Sequence, residues 1–136
     1  MAISDARFET TENLEQLSPP EVLVASARHY LWFAFTYPEY YNLIFNTPSL
    51  GPARNVDDIS QAPNFAGFPE LIQMGVDSGH FELPEGYTPL LLALQMWITI
   101  HGMAMLGLSI LADSGSGFDK LCNQLIDAFV KLITTE

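Results

Sequence analysis

The chain has 136 residues, of which 49% are hydrophobic and 12% aromatic, so it is long and apolar enough for one folded domain and excludes a disordered chain. Its 16 acidic residues outnumber its 5 basic residues, which gives a formal net charge of -11. Nucleic-acid binding requires clustered Lys and Arg. The basic residues are instead scattered singly at Arg7, Arg28, Arg54, Lys120 and Lys131. We therefore expect that this chain alone binds neither DNA nor RNA.

Cysteine usage and the N-terminal sequence indicate the cell compartment. Cys122 is the only cysteine, which excludes an intramolecular disulfide and a Cys-rich zinc site. Its apolar neighbours predict an inert, buried thiol. The three histidines lack metal-binding spacing, so we expect no metal site and no cofactor. The first residues lack the basic start and apolar stretch of a secretory signal, which predicts a cytoplasmic protein.

The first half of the chain shows helical periodicity and almost no strand signal, which predicts an all-α fold. Residues 4–17 are polar with a weak apolar stripe, as in an amphipathic helix. Ser18 followed by two prolines and Glu21 marks the start of a helix that should run to about Thr36. Pro38 interrupts it, because the residue before a proline is pushed out of the helical region. A short helix should follow, through Phe45.

The second half continues with a loop and three helices. Residues 46–69 contain four prolines and two glycines and read as a long loop, a kind of segment that is often functional or mobile. A helix is predicted over 68–78, with Gly79 as its C-cap. Thr88 and Pro89 mark the start of a long apolar helix that should end near Leu111. Residues 113–117 should form a turn that separates this helix from a last helix over 118–134.

The run from Leu90 to Ala112 contains no charged residue, so it either crosses a membrane or is enclosed by folded protein. Its flanks carry Glu82, Glu85 and Asp113 and lack the Lys or Arg residues that orient a membrane-spanning helix. Polar residues such as His101 also interrupt it, and each is costly in hydrocarbon. We therefore expect an enclosed helix whose outer side is covered by a partner subunit.

Helical spacing divides this run into two sides with different predicted roles. The side that carries Trp97, His101 and Met105 suits the wall of a pocket. The other side carries Gly102 and small polar groups, which suit the close approach of a second helix. The side that carries Gly102 and the heptad-like last helix together predict a homodimer that forms through the last two helices. The predicted dimer interface consists of Leu92, Gln95, Met96, Thr99, Gly102, Met103, Leu106, Ile110, Phe118, Cys122, Leu125 and Phe129.

Aromatic residues around Pro38 form the other part of a candidate binding site. Core packing explains them, but so does the lining of a cavity for an apolar small molecule, with Tyr hydroxyls as its few polar groups. His101 is open to the same two interpretations, as a neutral core histidine or as a donor to a ligand. Catalysis by His101 would need a neighbouring carboxylate, and none lies within a helical turn of it. The candidate ligand-binding residues are Tyr30, Phe33, Tyr37, Tyr41, Phe45, Met74, Trp97, His101 and Met105.

Three motifs resemble one family in order and spacing. They are Trp97-x-x-x-His101-Gly102, the stretch from Arg28 through Tyr30, Phe33, Pro38 and Tyr41 to Phe45, and Gly79-His80-Phe81. Together they resemble the C-terminal regulatory domain of tetracycline-repressor (TetR/AcrR) transcription regulators, in the subgroup named for its Trp-His-Gly motif. The resemblance covers about Ser18 to Thr134. It implies a non-enzymatic domain that binds a small, mainly apolar effector and forms homodimers.

One departure from the family pattern is large, because no basic helix-turn-helix domain precedes the motifs. The resemblance assigns residues 1–17 to the end of a connecting helix and residues 18–136 to the ligand-binding and dimerisation domain. DNA would then be bound only through a helix-turn-helix domain that this sequence does not contain. The alternative function is a constitutive helical dimerisation module without a small-molecule effector.

Overall fold

The computed structural model describes residues 16–46, 65 and 67–135. These residues form five helices: α1 (Pro19–Thr36), α2 (Pro38–Asn46), α3 (Gly67–Asp77), α4 (Pro89–Gly107) and α5 (Ser116–Ile133). The all-α prediction is confirmed, with no strand in the described part of the chain. The predicted N-terminal helix and most of the predicted loop 46–69 lie outside the described residues, so both stay predictions.

The predicted starts of α1 and α4 are confirmed by their caps. Ser18 Oγ accepts a hydrogen bond from the backbone N–H of Glu21, and the backbone N–H of Ser18 donates to Glu21 Oε1 at 3.0 Å, which completes a capping box. Hydrogen bonds from Ser18 lower the pKa of the exposed Glu21 carboxyl. At α4, the backbone N–H of Leu91 donates to Thr88 Oγ1 at 3.1 Å. Each cap satisfies a backbone donor that the first helical turn leaves unpaired.

The long apolar helix ends at Gly107, earlier than the predicted Leu111, and turns follow it. The backbone N–H groups of Ser109 and Leu111 both donate to the carbonyl of Leu106, a pattern that closes the helix instead of extending it. Gly107 lies where the rings of Phe35 and Phe118 meet, and any Cβ there would overlap both rings. The last turn of α4 is therefore fixed by close packing against α1 and α5.

Helix α1 lies at the centre of the domain and packs against all four other helices. Helix α4 packs mainly against α3 and α1, whereas α4 and α5 contact each other little. The core runs between these helices and includes Leu23, Leu31, Ile72, Met96 and Ile126, each almost completely buried. A displacement of α1 would therefore alter its packing against each of the other four helices.

A backbone bridge ties the end of α5 to the segment between α3 and α4. Phe81 and Thr134 form an isolated antiparallel pair. The backbone N–H of Glu82 donates to the Ile133 carbonyl at 2.8 Å, and that of Thr135 donates to the His80 carbonyl at 2.9 Å. We call residues 80–82 and 133–135 the terminal bridge. The Phe81 ring packs directly over Gly75, so the bridge also anchors α3.

Helix α4 has three sides instead of the two predicted from its sequence. A core side is buried within the subunit, a second side carries Trp97 and His101, and a third is exposed. Among the described residues, α4 alone is long and apolar enough to cross a membrane by length and composition. That test is weak, because the core helix of a soluble domain also passes it. The buried side of α4 is what such a core helix requires.

Five of the residues assigned to a dimer interface are buried by their own subunit, and their assignment is wrong. The core side of α4 and its exposed side are both apolar, so helical spacing alone does not separate them. The same applies to α5, because its buried apolar stripe lies beside an exposed apolar stripe. The five residues are Leu92, Met96, Met103, Phe118 and Cys122.

Candidate functional site

Three polar side chains from three helices meet inside the domain. Tyr30 of α1 and Tyr41 of α2 place their hydroxyl oxygens 2.8 Å apart. Both hydroxyls are also hydrogen-bonded to Nδ1 of His101 in α4, Tyr30 at 3.3 Å and Tyr41 through a shorter contact. We call Tyr30, Tyr41 and His101 the Tyr–His cluster. It joins α1, α2 and α4 through side chains far apart in the sequence.

Aromatic rings surround the Tyr–His cluster. The Phe45 ring lies 4.9 Å from the His101 ring and 4.7 Å from the Tyr41 ring, between centroids. The Trp97 ring lies 6.1 Å from that of His101, and the Phe65 ring lies 5.3 Å from that of Trp97, between centroids. These separations are those of favourable tilted ring pairs. The polar cluster is therefore enclosed by apolar ring surface.

Burial shifts the pKa values of all three cluster residues away from their charged forms. Desolvation raises the pKa of Tyr30 to about 12, although hydrogen bonding with Tyr41 and the nearby Trp97 indole oppose the shift. Desolvation and the neighbouring Tyr30 raise the pKa of Tyr41 further. Burial lowers the pKa of His101. At neutral pH the cluster therefore consists of two phenols and a neutral imidazole.

The indole N–H of Trp97 is a buried donor beside the Tyr–His cluster. No acceptor meets its Nε1 with normal hydrogen-bond geometry, and the same holds for Nε1 of Trp32. The Trp97 indole nevertheless lies close enough to Tyr30 for hydrogen bonding to oppose the rise in the pKa of that hydroxyl. The Tyr30 oxygen is therefore an acceptor within reach of the Trp97 indole.

Six of the nine predicted ligand-binding residues lie together. They are Tyr30, Phe33, Tyr41, Phe45, Trp97 and His101, which contact one another through rings or hydrogen bonds.

The other three predicted residues lie elsewhere or at the margin. The Met74 side chain is 61% exposed on α3, so its assignment to the site is wrong. Tyr37 is 43% exposed, and its ring contacts Trp32, Phe33 and Tyr40. It therefore lies at the outer edge of the aromatic group. Met105 is half-buried against the core and stays a predicted lining residue.

Phe65 belongs to the site but was not predicted. It is completely buried, and its ring contacts Trp97 at 5.3 Å. It was missed because it lies in the proline-rich stretch that was interpreted as a loop. The usable signal was the apolar sequence Phe65-Ala66-Gly67-Phe68, which is unusual between polar loop residues and marks the approach of α3.

Two exposed apolar surfaces lie on the last two helices. The exposed side of α4, which we call the outer face of α4, consists of Leu91, Gln95, Ile98, Thr99, Gly102 and Leu106. The outer stripe of α5 consists of Leu121, Leu125, Ala128 and Leu132. At Gly102 a Cβ would meet no atom within 4 Å, so the subunit itself does not require glycine there.

Part of the predicted dimer interface is compatible with these surfaces. Gln95, Thr99, Leu106, Ile110 and Leu125 are exposed, and Gly102 and Phe129 are half-buried. Their role at an interface stays a prediction. Leu91, Ile98, Leu121 and Leu132 are equally exposed and were not predicted.

Folding stability should fall as the pH drops below the normal pKa of histidine. The pKa of His101 is lowered from 6.5 by burial, so the unfolded chain binds more protons than the folded domain just below pH 6.5. This contribution is complete above pH 6.5 and is lost as the pH falls toward the lowered pKa. Urea denaturation across this range should therefore show a weaker pH dependence for His101→Gln than for the wild type.

The matched control for this prediction is His29→Gln, because His29 is exposed on α1 and its ring stacks on Trp32, outside the Tyr–His cluster. The control should keep the wild-type pH dependence. Equal slopes for the wild type and His101→Gln would contradict the assignment of a neutral buried imidazole.

Comparison with known proteins identifies the family. Residues 23–129 match the family described as tetracyclin repressor-like, C-terminal domain. Neither the search of curated proteins nor that of solved structures found a match. The matched region runs from α1 almost to the end of α5 and includes the Tyr–His cluster. Because it covers most of the chain, the protein belongs to the family of tetracyclin repressor-like C-terminal domains.

Proposed function

We propose that this domain senses a small, mainly apolar effector and forms homodimers within a transcription regulator. The observation that carries the sensing role is the Tyr–His cluster, a set of neutral polar groups enclosed by aromatic rings where three helices meet. Ligand sites typically combine apolar lining with a few convergent polar groups of this kind. Domains of this family are regulatory and in general non-enzymatic, which agrees with a binding role.

The position of the site suggests how binding is transmitted. An effector seated against the Tyr–His cluster contacts side chains of α1, α2 and α4 at once. Because α1 packs against every other helix, conformations that differ in the position of α1 differ in their affinity for the effector. Binding then shifts the population toward one of them. In the intact regulator this changes the spacing of two DNA-binding segments, which lie outside this sequence.

Dimerisation through the last two helices is supported by the outer face of α4 and the outer stripe of α5. Soluble monomers seldom expose so many large apolar side chains on adjacent turns of a helix. A second copy of the domain, related by a twofold axis, would cover both surfaces with its own α4 and α5. The interface would then consist of four helices, two from each subunit. A cytoplasmic homodimer is therefore the proposed working form. The competing function is a dimerisation module that binds no effector.

A thermal-shift screen against small apolar compounds tests the sensing role. A compound present at about 100 times its Kd should stabilise the folded domain by ~2.7 kcal/mol and raise its melting temperature clearly. Trp97→Leu should abolish this rise, because Trp97 walls the Tyr–His cluster.

The matched control is Trp32→Leu, which removes the other tryptophan. Trp32 contacts His29 and Tyr37 and none of the cluster residues through its ring, so this variant should keep the response. If no compound shifts the wild-type melting temperature, the sensing role is wrong and the constitutive dimerisation module is favoured.

A further inference from the structure

The distances and the burial of the Tyr–His cluster restrict the direction of its hydrogen bonds. The neutral cluster has two phenol O–H groups and one imidazole N–H, and its acceptors are the two phenol oxygens and the unprotonated imidazole nitrogen. Tyr41 is completely buried and Tyr30 is only 4% exposed, so the O–H group of each residue needs an acceptor inside the domain. Among the described residues, that acceptor is another member of the cluster.

A proton on Nδ1 of His101 would violate this requirement. Nδ1 would then donate to one hydroxyl, that hydroxyl would donate to the other, and the last buried O–H would have no acceptor left in the cluster. With Nδ1 unprotonated, both O–H groups are used, because one hydroxyl donates to the other and the second donates to Nδ1. Since an unpaired buried donor is costly, the cluster favours an unprotonated Nδ1. The imidazole proton then lies on Nε2.

The three contacts also indicate the order of the donors. The contact of Tyr41 with Nδ1 of His101 is the shortest, whereas the Tyr30 hydroxyl lies 3.3 Å from Nδ1 and 2.8 Å from the Tyr41 oxygen. Tyr41 therefore donates to Nδ1, and Tyr30 donates to Tyr41. The Tyr30 oxygen stays available as an acceptor for the Trp97 indole, which lies within its reach. The chain of donors thus starts and ends on α4, one turn apart, and passes through α1 and α2.

Nε2 of His101 is the polar atom of the cluster that is left for a ligand. It makes no hydrogen bond with the described residues, and unlike the indole nitrogen of Trp97 it is not completely buried. The imidazole is half-buried, and the rings of Phe45 and Trp97 lie 4.9 and 6.1 Å from it, between centroids. The N–H group therefore has apolar ring surface beside it and no acceptor of its own.

We propose that Tyr30 and Tyr41 hold His101 as its Nε2–H tautomer, and that this N–H is the donor by which the site recognises a hydrogen-bond acceptor on an otherwise apolar effector. Tyr30 and Tyr41 are then positioning residues, since they act on the effector through His101. This inference rests on the proposed sensing function and specifies the chemistry of its ligand. A compound that offers only a donor would meet a second donor at Nε2 and would gain nothing there.

The tautomer of His101 is measurable in the free domain. In a proton–nitrogen correlation spectrum of the imidazole rings, protonated and unprotonated nitrogens give well-separated signals, and Nε2 is recognised by its coupling to both ring carbon-bound protons. His101→Gln identifies the signals of His101 among those of the three histidines. At mildly alkaline pH we expect a protonated Nε2 and an unprotonated Nδ1. A protonated Nδ1 would overturn the inference.

Removal of both hydroxyls tests the positioning role. In the double variant Tyr30→Phe/Tyr41→Phe, Nδ1 of His101 loses both donors and the two tautomers exchange, so the Nε2 signal should move toward the position of an unprotonated nitrogen. The matched control is Tyr40→Phe, because Tyr40 lies on the same helix as Tyr41 and is 63% exposed. This control should leave the signals of His101 unchanged. An unmoved Nε2 signal in the double variant would contradict the positioning role.

Three bicyclic compounds of similar size separate the possible ligand chemistries. Quinoline offers an acceptor, indole offers a donor and naphthalene offers neither. Calorimetric titration should show that His101→Phe loses about fivefold in affinity for quinoline, the size of one net hydrogen bond, and keeps its affinity for indole and naphthalene. In the wild type, quinoline should also move the Nε2 signal of His101, whereas naphthalene should not. This second readout does not depend on the folding of the variant.

The possible results separate the two proposals. If His101→Phe weakens the binding of indole instead of quinoline, Nε2 is an acceptor and the inference is wrong. Equal losses for all three compounds, or a quinoline complex with an unmoved Nε2 signal, would also overturn the inference and leave apolar sensing intact. If none of the three compounds binds, the sensing function is contradicted and the donor role fails with it, while the spectrum of the free domain still decides the tautomer.

Discussion

Replacing Ile98 with glutamate should dissociate the proposed dimer into folded monomers. Ile98 is 64% exposed at the middle of the outer face of α4, so the subunit alone loses little when it is changed. In a twofold interface the substitution buries two carboxylates without partners, and an unpaired buried charge costs about 3–5 kcal/mol. Since a factor of ten in Kd is about 1.4 kcal/mol, Kd should rise by at least about two powers of ten. Size-exclusion chromatography with light scattering measures this directly.

The matched control is Met74→Glu, which places the same charge at another exposed apolar side chain. Met74 is 61% exposed on α3 and belongs to neither proposed surface, so this variant should remain dimeric. Leu125→Glu, in the outer stripe of α5, should behave like Ile98→Glu. A monomeric wild type, or an Ile98→Glu variant that stays dimeric, would contradict dimerisation through these surfaces.

Gly75→Ala should lower the free energy of unfolding by about 2 kcal/mol, although alanine is the better helix former. A Cβ at Gly75 would overlap the Phe81 ring, which is itself buried. The ring cannot move freely, because the backbone of Phe81 is paired with Thr134 in the terminal bridge. Overpacking of this kind typically costs about 1–3 kcal/mol. Urea denaturation gives the change in the free energy of unfolding.

Gly117→Ala makes the same chemical change in the first turn of α5, where a Cβ would meet no atom within 4 Å. It should be neutral or stabilise by about 0.5 kcal/mol. Adding Phe81→Leu to Gly75→Ala should recover part of the loss, because the smaller side chain relieves the overlap. If Gly75→Ala is as stable as Gly117→Ala, the packing of Phe81 over α3 is not as tight as described.

The helices were largely predictable because their boundaries are set by local chemistry. Ser18, Pro38, Thr88 and Gly79 act within one turn of their own position, by capping, by fixing a dihedral angle or by adopting a positive φ. The end of α4 was not predictable in this way. It depends on Phe35 and Phe118 closing around Gly107, and no local pattern reports which distant rings a glycine will meet.

The polar residues of the candidate site were predictable, because few positions in a fold can accommodate a buried polar side chain. An imidazole and tyrosine hydroxyls within apolar helices must find partners when buried, and Tyr30, Tyr41 and His101 found one another. Met74 was misplaced because a methionine suits a site, a core or a surface equally well. Phe65 was missed because its burial is decided by the position of Trp97, which is distant in the sequence.

The outer face of α4 could not be separated from its core side by composition. Leu92 and Ile98 are both branched and apolar, yet the first is buried and the second is exposed. The distinction arises from the side on which α1 and α3 pack, and this is a property of the tertiary structure. A helix that is apolar all round identifies neither its core side nor the side left for a partner.

The terminal bridge has a consequence for how the domain is made in the cell. Phe81 can pair with Thr134 only after the end of α5 has left the ribosome, so the contact forms later than the contacts among α1 to α4. Until then the buried side chains of α5, such as Ile126 and Val130, are missing from the core, while the most apolar helix has already emerged. Nascent chains arrested before residue 134 should therefore be the form that chaperones bind and that aggregates.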